Sequence, residues 1–204
     1  MLQLPPMLYL ISGAPRSGKT IIARRLLEKY SIPRLSTDMF LSMFQEAAPE
    51  LGISFGKSAI DTFEEAFIKT AEKLWKYLRP ALVYFLNEES DYLLEGASIL
   101  PKQIKELQTS YPGIIRACLI GFTSADLTRK LKEVRSHAGI QGETDWTNER
   151  SDESLLRSLQ KGQQYSRYLE QESLVHQIPY VDTSHNFQIS IEKAINVLVP
   201  DRTK

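Results

Sequence analysis

The sequence predicts an α/β sandwich in three layers, a five-stranded parallel sheet with helices on both faces. Three observations carry this expectation. Apolar runs of strand length alternate with longer stretches whose apolar residues recur at helical spacing. Apart from Ser12 and Arg116, the runs at 7–12 and 115–122 show continuous rather than alternating apolarity, which suits strands covered on both faces. Finally, a glycine-punctuated loop at 13–20 joins the first apolar run directly to a helical pattern, so strand, loop and helix stand in that order.

Each element can be justified in turn. Strand one covers 7–12, and the periodic run of apolar and charged residues that follows predicts a helix over 18–30. Strand two is short, Pro33-Arg34-Leu35-Ser36, and runs into Thr37-Asp38. Strand three is Tyr92-Leu93-Leu94-Glu95, closed by Gly96, and strand four is 115–122. A basic helix is expected over 125–137 and a further helix over 152–171. Strand five spans 177–181 and is closed by Asp182-Thr183-Ser184, and Ile191, Ala194, Ile195 and Leu198 mark a last helix over about 188–198.

Two stretches exceed a minimal core. Residues 39–88 hold an amphipathic helix marked by Phe63, Ala66, Phe67, Ala71, Leu74 and Leu78, with Pro80 expected to kink it or start a new turn. Residues 138–151 are glycine-punctuated and polar between two helices, the usual material of a lid. The whole of 1–204 is read as a single domain carrying these two regions.

Composition narrows the function. The 204 residues are 42% hydrophobic, enough for one sizeable core. Lysine plus arginine equals aspartate plus glutamate at 25 each, which argues against a nucleic-acid partner. The single Cys118 stands in an apolar run, so it is expected as a buried core thiol. His137, His176 and His185 lack metal-ligand spacing. No membrane-length apolar run occurs, and a cytoplasmic protein is expected, either monomer or homodimer.

The decisive residues are Gly13-Ala14-Pro15-Arg16-Ser17-Gly18-Lys19-Thr20, which fit G-x-x-x-x-G-K-[ST]. Gly13 and Gly18 permit turns closed to residues with side chains and bring backbone N–H groups close to phosphate oxygens. The helix starting near Gly18 adds unsatisfied N–H groups and a positive dipole end. Lys19 can reach β- and γ-phosphates, and the Thr20 hydroxyl can ligate Mg²⁺. Nucleotide binding, with ATP and Mg as cofactors, is the primary expectation. No guanine-reading N-K-x-D or T-K-x-D motif and no L-S-G-G-Q signature is present.

Taken in order, G-A-P-R-S-G-K-T at 13–20, S-T-D at 36–38, L-L-E-G at 93–96, the lid with a following basic helix and V-D-T-S at 181–184 carry a resemblance. The chain resembles P-loop small-molecule and nucleotide kinases, in particular the zeta-toxin-like, gluconate-kinase-like and 2-phosphoglycerate-kinase-like branch. The resemblance implies a P-loop NTPase sandwich with a kinase-type lid. It also implies an ATP- and Mg-dependent transfer of the γ-phosphoryl group to a small-molecule acceptor. That acceptor would be a nucleoside, a nucleotide or a hydroxylated metabolite.

Candidate residues follow. Asp38 stands at the carboxyl end of strand two, where ligands of open α/β sheets bind, and can orient an acceptor hydroxyl and take its proton. Its competing role is to start a helix. Glu95 can hold Mg²⁺ or contact the acceptor, or simply end a strand in solvent. Among the arginines, Arg150 at the lid edge is the first candidate to clamp the moving phosphoryl, seven residues before Arg157 on a shared helix face if the helix is continuous. Arg129 is second, since the resemblance places it beside adenine or the phosphates, with the turn containing Ser184 bordering the base. Arg16 can lean over the phosphates. Lys130, Lys132, Arg135 and the other basic residues are expected as ordinary solvated charges. Two alternatives to a small-molecule kinase remain: a polynucleotide-end kinase and an ATP-binding regulator without transfer activity.

Overall fold

The computed structural model describes residues 6–55, 63–88, 90–137, 147 and 149–200. Five strands are formed: β1 (Leu8–Gly13), β2 (Arg34–Ser36), β3 (Tyr92–Gly96), β4 (Ile115–Gly121) and β5 (Tyr180–Asp182). They make one sheet in the order β2-β3-β1-β4-β5, with every pairing parallel. Helices α1 (Lys19–Tyr30), α2 (Thr37–Ala47), α3 (Phe63–Leu86), α4 (Pro101–Ser110), α5 (Leu127–His137), α6 (Asp152–His176) and α7 (Phe187–Leu198) surround it.

The period-2 side-chain alternation of β1 explains why Leu8, Tyr9, Leu10 and Ile11 are apolar in succession. Tyr9 and Ile11 face one way, into a layer with Ile22 and Leu26 of α1 and Ile191 and Leu198 of α7. Leu8 and Leu10 face the other way, into a layer with Leu74, Leu78 and Leu82 of α3 and Ile104 and Leu107 of α4. The sheet is therefore dry on both faces, as a parallel sheet requires. Cys118 is fully buried in the first layer, and burial pushes its thiol up to about 12, so it is inert at neutral pH.

Three elements differ from the sequence expectation. The first is α4, whose ten residues carry only Ile104 and Leu107 as buried aliphatic residues within the polar run. Its start is set by Pro101 in the first turn and by Gln103, whose Oε1 accepts from the Leu100 N–H at 2.9 Å. The Gln103 amide also donates to the Ala71 carbonyl on α3 at 3.1 Å, a long-range tie that no local pattern announces. The second is the boundary between α6 and β5. The helix runs on to His176, so Leu174 and Val175 are exposed helical residues, and Gln177 ends the helix in the left-handed region at φ 55°. Strand five starts only at Tyr180. The third is Pro80, which sits inside a continuous α3. Lys76 and Pro80 are both exposed, so the carbonyl that loses its partner faces water, while Leu74, Leu78 and Leu82 keep the buried side in register.

At the carboxyl end of the sheet the backbone is crowded. A Cβ added to Gly96 would lie 1.8 Å from Thr37 Oγ1 and 2.7 Å from the Thr37 Cβ, and Thr37 is itself fully buried at the start of α2. Gly96→Ala is therefore expected to lose about 2–3 kcal/mol, roughly 5–10 °C in melting temperature. An unchanged thermal melt would show that Thr37 gives way freely.

Candidate active site

The site starts from the glycine loop. Gly13 ends β1 so close to β4 that a Cβ there would lie 2.4 Å from the Ile120 carbonyl oxygen. Arg16 (φ 66°) and Gly18 (φ 106°) both take the left-handed region, curling the backbone back before α1 begins at Lys19. Ala14 and Ser17 are buried in the curl, with Pro15 and Arg16 partly exposed on it. The Ser17 hydroxyl is buried, with no hydrogen-bond partner among the described residues. Thr20 follows in the first turn of α1.

Five charged or polar side chains meet at this end of the sheet. Lys19 is 9% exposed, and its Nζ donates to the Ala14 carbonyl at 2.9 Å. Glu95, 4% exposed, comes from β3, where Ile11 of β1 is its register partner on one side and Ser36 of β2 on the other. The Thr20 hydroxyl donates to Glu95 Oε1 at 3.3 Å. Arg34 of β2 reaches the same oxygen at 3.4 Å. Asp38, in the first turn of α2, is exposed, and its charge is felt by both Lys19 and Glu95.

The electrostatics follow from burial. Loss of water pulls the Lys19 ammonium below the ordinary lysine range, against the pull of Glu95 and Asp38 and with the help of Arg16. Burial likewise pushes the Glu95 carboxyl up; Lys19 and Arg34 oppose it and Asp38 reinforces it. A carboxyl whose folded pKa is raised contributes most below its unfolded value near 4.5, and that contribution is lost as pH rises through the folded value. Glu95→Gln is therefore expected to be more stable than the parent chain at pH 7, with the advantage vanishing near pH 4. Urea midpoints at the two pH values check this. A variant less stable at pH 7 would mean that the pairing with Arg34 and Lys19 outweighs burial.

The role of Asp38 as a helix start is corrected. The cap of α2 is Ser36, whose Oγ accepts from the Asp38 N–H at 3.2 Å, leaving the Asp38 carboxylate outside the capping bond. The arginines also need revision. Arg150 precedes Ser151, the cap of α6, so it does not share a helix face with Arg157; its guanidinium donates to Ser158 Oγ at 3.3 Å. Arg135, expected as a solvated charge, is fully engaged. It donates to Asp152 Oδ1 through Nε at 3.0 Å and Nη2 at 2.7 Å, to the Arg150 carbonyl at 2.6 Å, and to the Thr147 carbonyl. Lys130 is not solvated either, being 4% exposed. The lid expected over 138–151 lies outside the described residues at 138–146 and 148.

Arg129 joins the turn after β5, donating to the carbonyls of Ser184 and, at 3.5 Å, His185. Ser184 is buried and its hydroxyl is engaged with Asp182 and with the Ser124 N–H at 3.0 Å. Of the apolar residues after strand two, Phe44 packs against the Tyr77 ring at 4.9 Å as part of the core, whereas Met43 and Phe55 are exposed. Arg34 is the one residue of the cluster that sequence reasoning missed. Its signal was its place two residues before Ser36 on the strand that pairs with Glu95, visible only once the pairing is known.

Two solved structures share this architecture. A gluconokinase from Sinorhizobium meliloti 1021 superposes with a TM-score of 0.53 at 15% identity, over 98% of this chain and 95% of that one. A provisionally named kinase from Chloroflexus aurantiacus J-10-fl superposes with a TM-score of 0.50 at 17% identity, over 98% and 100%. The chain shares their fold, an α/β sandwich around a five-stranded parallel sheet. No protein-family model matches the sequence, and no curated protein does either. Among the described residues no helix is long and apolar enough to cross a membrane.

Proposed function

We propose that the chain, read as one domain over 1–204, is an ATP- and Mg-dependent kinase of small molecules. The observation that carries the reading is the buried meeting of Lys19, Thr20 and Glu95 beside Asp38, at the carboxyl ends of β1, β2 and β3. A lysine and a glutamate so far from water, each disfavoured in its charged form, fit a site completed by a polyanion and a cation.

In this reading the backbone of 13–20, including Gly13, Ala14, Pro15, Arg16, Ser17 and Gly18, surrounds the ATP phosphates, and Lys19 lies against the β- and γ-groups. Thr20 Oγ1 and Glu95 Oε1, 3.3 Å apart, would be the oxygen pair that holds Mg²⁺. Bound there, Mg²⁺ would neutralise charge between the β- and γ-oxygens. Arg129 and the Ser184 turn border the base. An acceptor hydroxyl beside Asp38 gives its proton to the carboxylate while its oxygen bonds to the γ-phosphorus, and the β–γ bridging oxygen leaves with ADP. Arg150, anchored by Arg135 through its own carbonyl, is the cation that follows the moving phosphoryl. A lid over 138–151 would keep water out, without which ATP would be hydrolysed instead.

The test is ADP formation with Mg·ATP against pooled nucleosides, nucleotides, sugar acids and phosphorylated metabolites, with Lys19→Ala as the control. Stimulation by one pool in the parent chain but not in Lys19→Ala supports the proposal. Bound ATP with no pool stimulating turnover counts against a small-molecule acceptor.

A further inference from the structure

The proposed chemistry leaves one buried base unused. Lys130, in the first turn of α5, is 4% exposed, and its Nζ lies between two rings, 5.2 Å from the Phe122 centroid and 4.9 Å from that of Phe187. Among the described residues no oxygen accepts a hydrogen bond from this ammonium. The charged groups around it are Glu133 and Arg129 on its own helix and Asp182 at the end of β5. Both carboxylates are committed elsewhere. Glu133 pairs with Arg129 at 3.4 Å, and Asp182 accepts from the Ser184 N–H at 2.8 Å and from the Ser184 hydroxyl. A lysine kept for packing would be expected to own a carboxylate, because ring faces return less than the lost hydration costs. Burial accordingly pulls its ammonium below the ordinary lysine range.

The two rings lead back to the glycine loop. Phe187 packs on Gly18 so tightly that a Cβ there would lie 3.0 Å from ring atoms Cε2 and Cζ. On the other side, a Cβ at Gly162 of α6 would lie 2.9 Å from Phe122 Cζ and 3.5 Å from the Pro15 carbonyl oxygen. The rings thus connect the ammonium to the loop, Phe187 directly at Gly18 and Phe122 by way of Gly162 beside Pro15. It also stands over the β4–β5 side of the sheet, whereas Asp38 and Glu95 belong to the β2–β3 side.

We infer that Lys130 is an anion-binding residue of the nucleotide site, whose ammonium, stored between Phe122 and Phe187, takes a phosphate oxygen of the bound nucleotide as its counter-charge. The inference rests on the nucleotide reading of the loop and adds a cation on the side away from the acceptor.

Calorimetric titration with Mg·ATP at several salt concentrations tests it, using the parent chain, Lys130→Met, which keeps length and removes charge, and Lys130→Arg, which keeps charge. Lys130→Gln replaces the Met variant should that one not fold. The expected result is ATP affinity lower by about tenfold in Lys130→Met, with a shallower salt dependence, and recovery to within about threefold in Lys130→Arg. Unchanged affinity in Lys130→Met overturns the inference. So does weaker binding with an unchanged salt dependence, because it marks a distorted pocket rather than a lost charge. If the parent chain itself binds no ATP, the nucleotide reading fails, and Lys130 with it.

Discussion

Replacing Lys19 with Met is expected to lower ATP-dependent turnover by about two to three orders of magnitude while the melting temperature holds or rises. The two halves of this expectation have one cause. The ammonium is buried, its ordinary pKa is pulled down by loss of water, and its hydrogen bond goes to the Ala14 carbonyl within the loop. Such a charge is costly for the empty fold and useful only when a polyphosphate lies against it. Methionine has similar length and no charge to desolvate. Turnover and thermal melting on the same preparation check the claim. Lost activity together with a collapsed melt would assign Lys19 a structural duty, and retained activity would remove it from the phosphates.

Asp38→Asn is expected to reduce transfer to the acceptor by about two to four orders of magnitude with ATP affinity unchanged. The substitution leaves the α2 cap intact, because that cap is the Ser36 hydroxyl; the Asp38 carboxylate, in the first turn, accepts from the Thr37 hydroxyl at 3.5 Å. The contrasting variant is Ser36→Ala, which should cost about 1 kcal/mol of stability through the lost cap. If Asp38→Asn loses stability and keeps its transfer rate, the carboxylate belongs to the helix and not to the reaction.

Most of the sheet was legible because its signals are local. A strand covered on both faces carries apolar residues in succession, so Leu8–Ile11 and Ala117–Ile120 announced β1 and β4 to within a residue or two. Glu95 was legible as a charge ending an apolar run, and its approach to Thr20 follows from the parallel pairing of β3 with β1. What stayed hidden depends on distant partners. Helix α4 is anchored by Gln103 to Ala71 across 32 residues of chain, and its apolar face is too sparse to read. The end of α6, expected near 171, was obscured because Leu174 and Val175 are apolar residues on an exposed helix surface, off the buried face of the helix. Arg34, Lys130 and Arg135 are ordinary basic residues in the sequence. One becomes part of the site by strand pairing, one is buried by two rings from different elements, and one is occupied by carbonyls 12 and 15 residues away.

The central claim is that the γ-phosphoryl group leaves ATP for an acceptor rather than for water. Its most direct test follows the label from ATP radiolabelled on the γ-phosphate, with Mg²⁺ and the acceptor pools, and separates the products. Label is expected in an organic phosphate, formed by the parent chain and lost in both Lys19→Met and Asp38→Asn. Label released only as inorganic phosphate, at a rate indifferent to every pool and to Asp38→Asn, would contradict it.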